Sequence, residues 1–142
     1  MSKILVAFDG SDSAMNAVKY ATGMVMKYTK TEVTILLVIN MTNLDLFEAS
    51  LDIKDKFIAS IVESGKATLV EARKIFDEKK IPVNAVTKTG DPATIINDYV
   101  KNNNIDSIIM GTRGLTSLKG MVLGSVSQKL IHMTDKPVTL IK

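Results

Sequence analysis

Short runs of apolar residues alternate along this chain with longer stretches in which apolar positions recur every three or four residues. The runs at 4–8 and 33–39 show no polar alternation, as expected of strands covered on both faces, and 105–110 is read as a further strand that meets Gly111 as the first meets Asp9. After the first run, Ala14, Ala17, Val18, Ala21, Met24, Val25 and Tyr28 mark one helix face, with Ser11 or Ser13 available as its N-cap. Within 53–80 the stripe Ile58, Ile61, Val62, Gly65, Leu69, Ala72 and Phe76 keeps helical spacing, and Pro82 is expected to stop that helix. The segment 41–52 before it fits neither pattern.

A third strand is predicted over 83–87, ended by Gly90. The tripeptide Gly90, Asp91, Pro92 supplies a turn glycine, an N-cap and a proline at the first helical position, predicting a helix through Val100. Asn102 to Asn104 then breaks it. Ser125 with Gln128 reads as an S-x-x-Q capping box that starts a helix reaching about Met133. The last strand covers 137–141, with its proline at the strand entrance. No internal repeat or low-complexity tract interrupts this order. Alternation of strand and helix implies an α/β fold: a single-domain, open, five-stranded, mostly parallel sheet with helices on both faces and right-handed crossovers.

Length and composition narrow the function classes. The chain has 142 residues with 46% hydrophobic content, which suits one domain with a real core. Its 18 Lys and Arg against 15 Asp and Glu give a formal charge of +3, spread without a basic block, and aromatics are only 5%. A nucleic-acid surface, which needs clustered cations and stacking rings, is not expected. Cysteine is absent, which excludes disulfides, thiolate catalysis and cysteine metal sites. One histidine, His132, leaves no multi-histidine metal cluster. The N-terminal apolar run is too short for a signal peptide, and no run approaches the roughly 18 residues of a membrane span. A cytoplasmic protein that does not enter a membrane is expected.

Candidate chemistry gathers where strands end. In open parallel sheets ligands sit beyond the carboxyl ends of the strands, at the point where neighbouring connections leave in opposite directions. Two segments should meet there: Asp9, Gly10, Ser11, and the stretch from Gly111 through Gly114 to Gly124 and Ser125. The second reads G-x-x-G, nine residues, then G-S. Glycine lacks the Cβ that blocks close backbone approach to a ligand and can also take positive φ. Ser125 and the amides of Ser125 and Val126 would face an anion at the positive end of a helix, which suits phosphate. Each glycine alone is an ordinary turn residue, and Ser125 alone is an ordinary cap; the assembled spacing between strand and helix carries the argument. Arg113 and Lys119, inside the motif, have the charge to neutralise phosphate but equally suit a solvated loop.

With those residues in view, the chain resembles a universal stress protein of the ATP-binding branch. The resemblance spans 1–142 and rests on ILVAFDGSDSA, VTILLVIN, TGDPATII, IDSIIMGTRG, LGSVSQKLI and KPVTLIK. It implies a Rossmann-like, adenine nucleotide alpha hydrolase-like fold. It also implies ATP contacts from Asp9 near the ribose and from the Val38 backbone at the adenine. Gly111, Gly114, Gly124, Ser125 and Val126 would hold ribose and phosphates, with Mg2+ bound through the phosphates and no catalytic residue. The family further implies a homodimer formed by antiparallel pairing of the last strand with its twin. Leu37 replaces a histidine common in relatives, and Ala7 and Phe8 replace proline and threonine; these departures fall on the adenine side and leave the phosphate side intact.

The resemblance favours a regulatory module that holds ATP. A second reading is an ATP-using enzyme, because DGSDS partly resembles the pyrophosphatase loop SGGxDS of adenylating enzymes. Gly10, Asp12 and Ser13 match, while Phe8 and Asp9 replace the leading serine and glycine. A third is an interaction protein with a vestigial site, against which the intact glycines argue.

Overall fold

The computed structural model describes residues 1–41, 50–114 and 123–142. Five strands and four helices alternate: β1 (Ser2–Phe8), α1 (Asp12–Lys27), β2 (Thr31–Ile39), α2 (Leu51–Glu78), β3 (Asn84–Thr89), α3 (Pro92–Asn102), β4 (Ser107–Gly111), α4 (Ser125–Met133) and β5 (Val138–Ile141). The sheet order is β3-β2-β1-β4-β5 and every pairing is parallel. Connections from β1 run outward to β2 and β3, then return through α3 to β4 on the other side of β1. The carboxyl ends of β1 and β4 are therefore the switch point.

Two cores result, one on each face of the sheet. Strand residues alternate between them: Val6, Phe8, Ile35 and Leu37 pack with Ala17, Val18, Leu69, Ala72 and Phe76 of α1 and α2. Leu5, Ala7, Leu36 and Val38 pack with Ile96, Val100 and Leu130 of α3 and α4. β1 from Ile4 and β2 from Val33 are apolar on both faces apart from the buried Thr34, because both faces are covered. Burying a side chain such as Phe76 completely contributes about 1.5 to 3 kcal/mol.

The helix signals differ in how well they locate the ends. Ser11, not Ser13, caps α1, its side chain accepting from the Ala14 amide at 3.2 Å. Asp91 caps α3 as its sequence predicts, accepting from the Thr94 amide at 3.1 Å. Bonds from the Thr94 hydroxyl and from Lys129 hold the Asp91 carboxyl below its ordinary pKa. The expected stop of α2 at Pro82 is corrected: the helix ends at Glu78. Lys80 takes a left-handed φ of 56°, so that the Ile81 amide bonds Phe76 O and the Lys80 amide bonds Asp77 O. This is the double closure usually made by glycine. Asn104 at φ 54° closes α3 similarly, which takes Ile105 out of β4 and into the helix end, its amide bonding Val100 O. Of the unassigned segment 41–52, Ser50 caps α2 and Leu51 opens it, while 42–49 lies outside the described residues.

Candidate functional site

A cleft of about 840 Å³ opens over the carboxyl ends of β2, β1 and β4. Asp9, Val38, Gly111, Gly114, Gly124, Ser125 and Val126, dispersed over more than a hundred residues of sequence, all line it. Its floor is apolar, with Ala7, Phe8, Leu36, Val38 and Met110 among the lining residues. One wall comes from α2 and the other from the first turns of α3 and α4. Val38 is buried near the end of β2, and the next carbonyl, Ile39 O, accepts from the Gly90 amide at 3.0 Å.

Asp9 closes the turn that follows β1. Its Oδ1 accepts from the Ser11 amide at 2.9 Å, and Gly10 takes φ 86°, a conformation that favours glycine. The second carboxylate oxygen faces the glycine motif: a Cβ added at Gly114 would sit 3.0 Å from Asp9 Oδ2. The two segments that the sequence places at one switch point are thus in contact.

The glycines of the motif serve different ends. A Cβ at Gly111 would come within 2.7 Å of the Ala14 amide nitrogen and 2.8 Å of the Ser13 carbonyl carbon. The close approach expected at Gly111 is therefore made by the backbone of α1, and the glycine seats a helix on the strand end. None of the three is there for positive φ. Left-handed glycines among the described residues are Gly10 and Gly90, while Gly124 has φ −70°, open to any residue.

The capping box at Ser125 needs correction. Gly124, with extended backbone, is the N-cap, and Ser125 already lies in the first turn of α4. The S-x-x-Q pattern is one residue out of frame, and the Gln128 side chain reaches Leu123 O at 3.4 Å instead. The cap makes no side-chain hydrogen bond. Helices α1, α2 and α3 each have a side-chain cap, from Ser11, Ser50 and Asp91. Among the described residues only α4 starts without one, and its first residues line the cleft. Its leading amides retain their partial positive charge facing the space where an anion would bind.

The α2 wall went unread in the sequence. Ser60, Ser64 and Thr68 line the cleft at steps of four, beside Ile61 and Gly65. A Cβ at Gly65 would lie 3.1 Å from Leu37 Cδ2 and 3.4 Å from Ile39 Cδ1, so this glycine sets how near α2 comes to β2. The period-four hydroxyl row beside the apolar stripe was the available signal. Hydroxyls at Thr68 and Ser127 are already given to Gly65 O and Gly111 O. Arg113 lies at the rim and is exposed, His132 is exposed on α4 and does not line the cleft, and Lys119 is outside the described residues. No three or more His, Asp or Glu converge among the described residues. Among the same residues, no helix is long and apolar enough to cross a membrane.

Comparison with known proteins agrees with this architecture over the full chain. The profile of the universal stress protein family matches residues 1–142. Universal stress protein YxiE of Bacillus subtilis is 29% identical, the alignment covering 99% of each chain. Universal stress protein MJ0577 of Methanocaldococcus jannaschii is 27% identical over 99% of this chain and 94% of its own. The solved structure of MJ0577 superposes with a TM-score of 0.87, covering 99% of this chain and 95% of that one. A universal stress protein from Archaeoglobus fulgidus, solved in complex with dAMP, shares the fold at TM-score 0.72 and 19% identity, covering 100% and 98% of the two chains. A match from the first residue to the last, on a sheet with the same architecture, makes this chain a member of the universal stress protein family.

Proposed function

We propose that this universal stress protein is a regulatory module of the ATP-binding branch, holding ATP in the cleft and changing its partner interactions with occupancy. The observation that carries the reading is the uncapped start of α4 at Gly124, set in a cleft that Asp9, Val38, Gly111, Gly114, Ser125 and Val126 also line. The apolar floor suits a purine ring, and the Val38 backbone lies beside it. Asp9 Oδ2 serves the ribose hydroxyls as an acceptor. The leading amides of α4, with Gly114 and Ser125, take the phosphates. Mg2+ would be carried by the phosphates. The related fold of the Archaeoglobus fulgidus protein accommodates dAMP, which supports the choice of an adenine nucleotide.

Holding ATP does not require turning it over. Binding substrate and transition state equally leaves the chemical step unchanged, and no described group in the cleft is arranged as a general base beside a nucleophile. The adenylating alternative needs the hydroxyls of DGSDS for phosphate. Ser11 and Ser13 instead donate to Arg113 O, at 3.2 and 2.7 Å.

Calorimetry of the purified protein, stripped of ligand, is expected to show ATP binding in the presence of Mg2+. Turnover should fall far below the median enzyme rate of about 10 per second. Mass spectrometry of ligand released on denaturation should find an adenine nucleotide. An empty pocket that also refuses ATP overturns the reading, and brisk pyrophosphate release that requires Asp12 establishes the adenylating one.

Association through β5 belongs to the same proposal. This strand ends the sheet order, and its Val138, Leu140 and Ile141 are only half-buried. An apolar edge strand is a template for another strand, and antiparallel pairing about a two-fold axis covers both copies at once. Light scattering should return twice the chain mass. A monomer at micromolar concentration refutes this part alone.

A further inference from the structure

Three successive carbonyls of the glycine motif are each tied to a different partner. Gly111 O accepts from Ser127 Oγ of α4 at 3.1 Å, and Thr112 O accepts from the Gly124 amide at 2.6 Å. Arg113 O accepts from two hydroxyls of the distant β1–α1 segment, Ser13 Oγ at 2.7 Å and Ser11 Oγ at 3.2 Å. The Arg113 amide in turn donates to Ser13 Oγ at 3.4 Å, so one hydroxyl engages both polar groups of this residue.

The third tie differs from the other two in what it prevents. The peptide that follows Arg113 leads into Gly114, and a peptide before glycine flips at low cost because glycine accepts either sign of φ. Type I and type II turns differ by such a flip. In a planar trans peptide the carbonyl and the next amide point in opposite directions. Holding Arg113 O against α1 therefore directs the Gly114 amide away from α1; a flip would exchange donor for acceptor at a residue beside Asp9 Oδ2. For a bound polyanion that exchange turns attraction into repulsion.

We infer that Ser13, with Ser11, is a latch that fixes the orientation of the Arg113–Gly114 peptide, and that this orientation makes the motif a phosphate site. Ser13 is thus a positioning residue that acts through Gly114 without touching the ligand. The inference rests on the nucleotide reading above. It also accounts for the serines of DGSDS without assigning them chemistry.

The test is Ser13→Ala, since Ser11 also caps α1 and its loss would mix two effects. ATP affinity is expected to fall about three- to tenfold, the scale of one hydrogen bond, while adenosine affinity stays within about twofold. General loosening of the fold would weaken both ligands alike. In the unliganded variant the Gly114 amide resonance should move in a nitrogen–proton correlation spectrum, with α3 and β5 resonances in place. Loss of less than threefold for ATP, or an equal loss for adenosine, overturns the latch. Ser13→Cys, a far weaker donor, is read the same way should the alanine protein not fold. Wild-type protein that binds neither ligand removes the nucleotide reading and the latch with it; wild-type binding matched by the variants removes the latch alone.

Discussion

Gly111→Ala is expected to be strongly destabilising. The added carbon meets Ser13 Oγ first, and behind it the Ala14 amide nitrogen and the Ser13 carbonyl carbon at 2.7 and 2.8 Å, which are helix backbone. The Ser13 hydroxyl can rotate aside, but relieving the two backbone contacts requires the first turn of α1 to move as a body. That turn is fixed by the Ser11 cap, by the bonds to Arg113 O and by Ala14 and Ala17, which are buried in the core beneath it. Overpacking of this kind costs about 1 to 3 kcal/mol, and a backbone obstacle puts this case at the upper end. For a domain of about 150 residues that lowers the thermal midpoint by about 6 to 12 °C. A melt of the ligand-free variant measures it. An unchanged midpoint would mean that α1 is not seated on β4 as described.

Gly114→Val, three residues on, is expected to do the reverse. Among the described residues, the neighbour an added Cβ meets within 4 Å is Asp9 Oδ2, at 3.0 Å, on the cleft side. No described backbone atom obstructs the added carbon, unlike at Gly111. A branched side chain between the Asp9 carboxylate and the start of α4 fills the space proposed for ribose and phosphate. ATP affinity should fall by about 100-fold or more, equivalent to about 2.8 kcal/mol, with the ligand-free melting midpoint within a few degrees of wild type. Calorimetry beside a thermal melt separates the two quantities. Wild-type affinity would remove Gly114 from the site, and an unfolded variant would mean that this glycine, like Gly111, is structural.

The contrast between these glycines marks how far the sequence could be read. Continuous apolar runs identify β1, β2 and β4 because covered strands leave no polar positions, and the parallel order follows from the helices between them. Element ends were legible where a side chain makes the cap, as at Asp91. The end of α2 was misread because backbone conformation does the work there: Lys80 closes the helix in a left-handed conformation that its side chain does not advertise, whereas Asn104 lies in the asparagine run that marks the end of α3. At Ser125 a genuine-looking cap pattern sits one residue past the true cap, because a glycine can fill that place without contributing a side chain. Spacing brought Asp9 and the G-x-x-G motif to one place, but it did not show which glycine faces Asp9 in the cleft and which faces a helix. That distinction depends on α1, which contacts Gly111 from nearly a hundred residues away. The α2 wall escaped for a related reason. Hydroxyls at steps of four on a helix resemble any solvated face until the sheet beside them ends and a cavity begins.

The two cores described above share the sheet, yet the cleft borrows from both. Thr68 and Ile61 reach it from the layer of α1 and α2, Pro92, Ile96 and Val126 from the layer of α3 and α4. A ligand there would be a cross-brace between two layers that lie on opposite faces of the sheet. Whatever binds the folded cleft and not the unfolded chain adds its free energy to the fold, about 2.7 kcal/mol at a hundredfold excess over its dissociation constant. In this architecture that gain is spread over both layers, so an occupied protein resists local opening on either face while an empty one lets each layer breathe by itself.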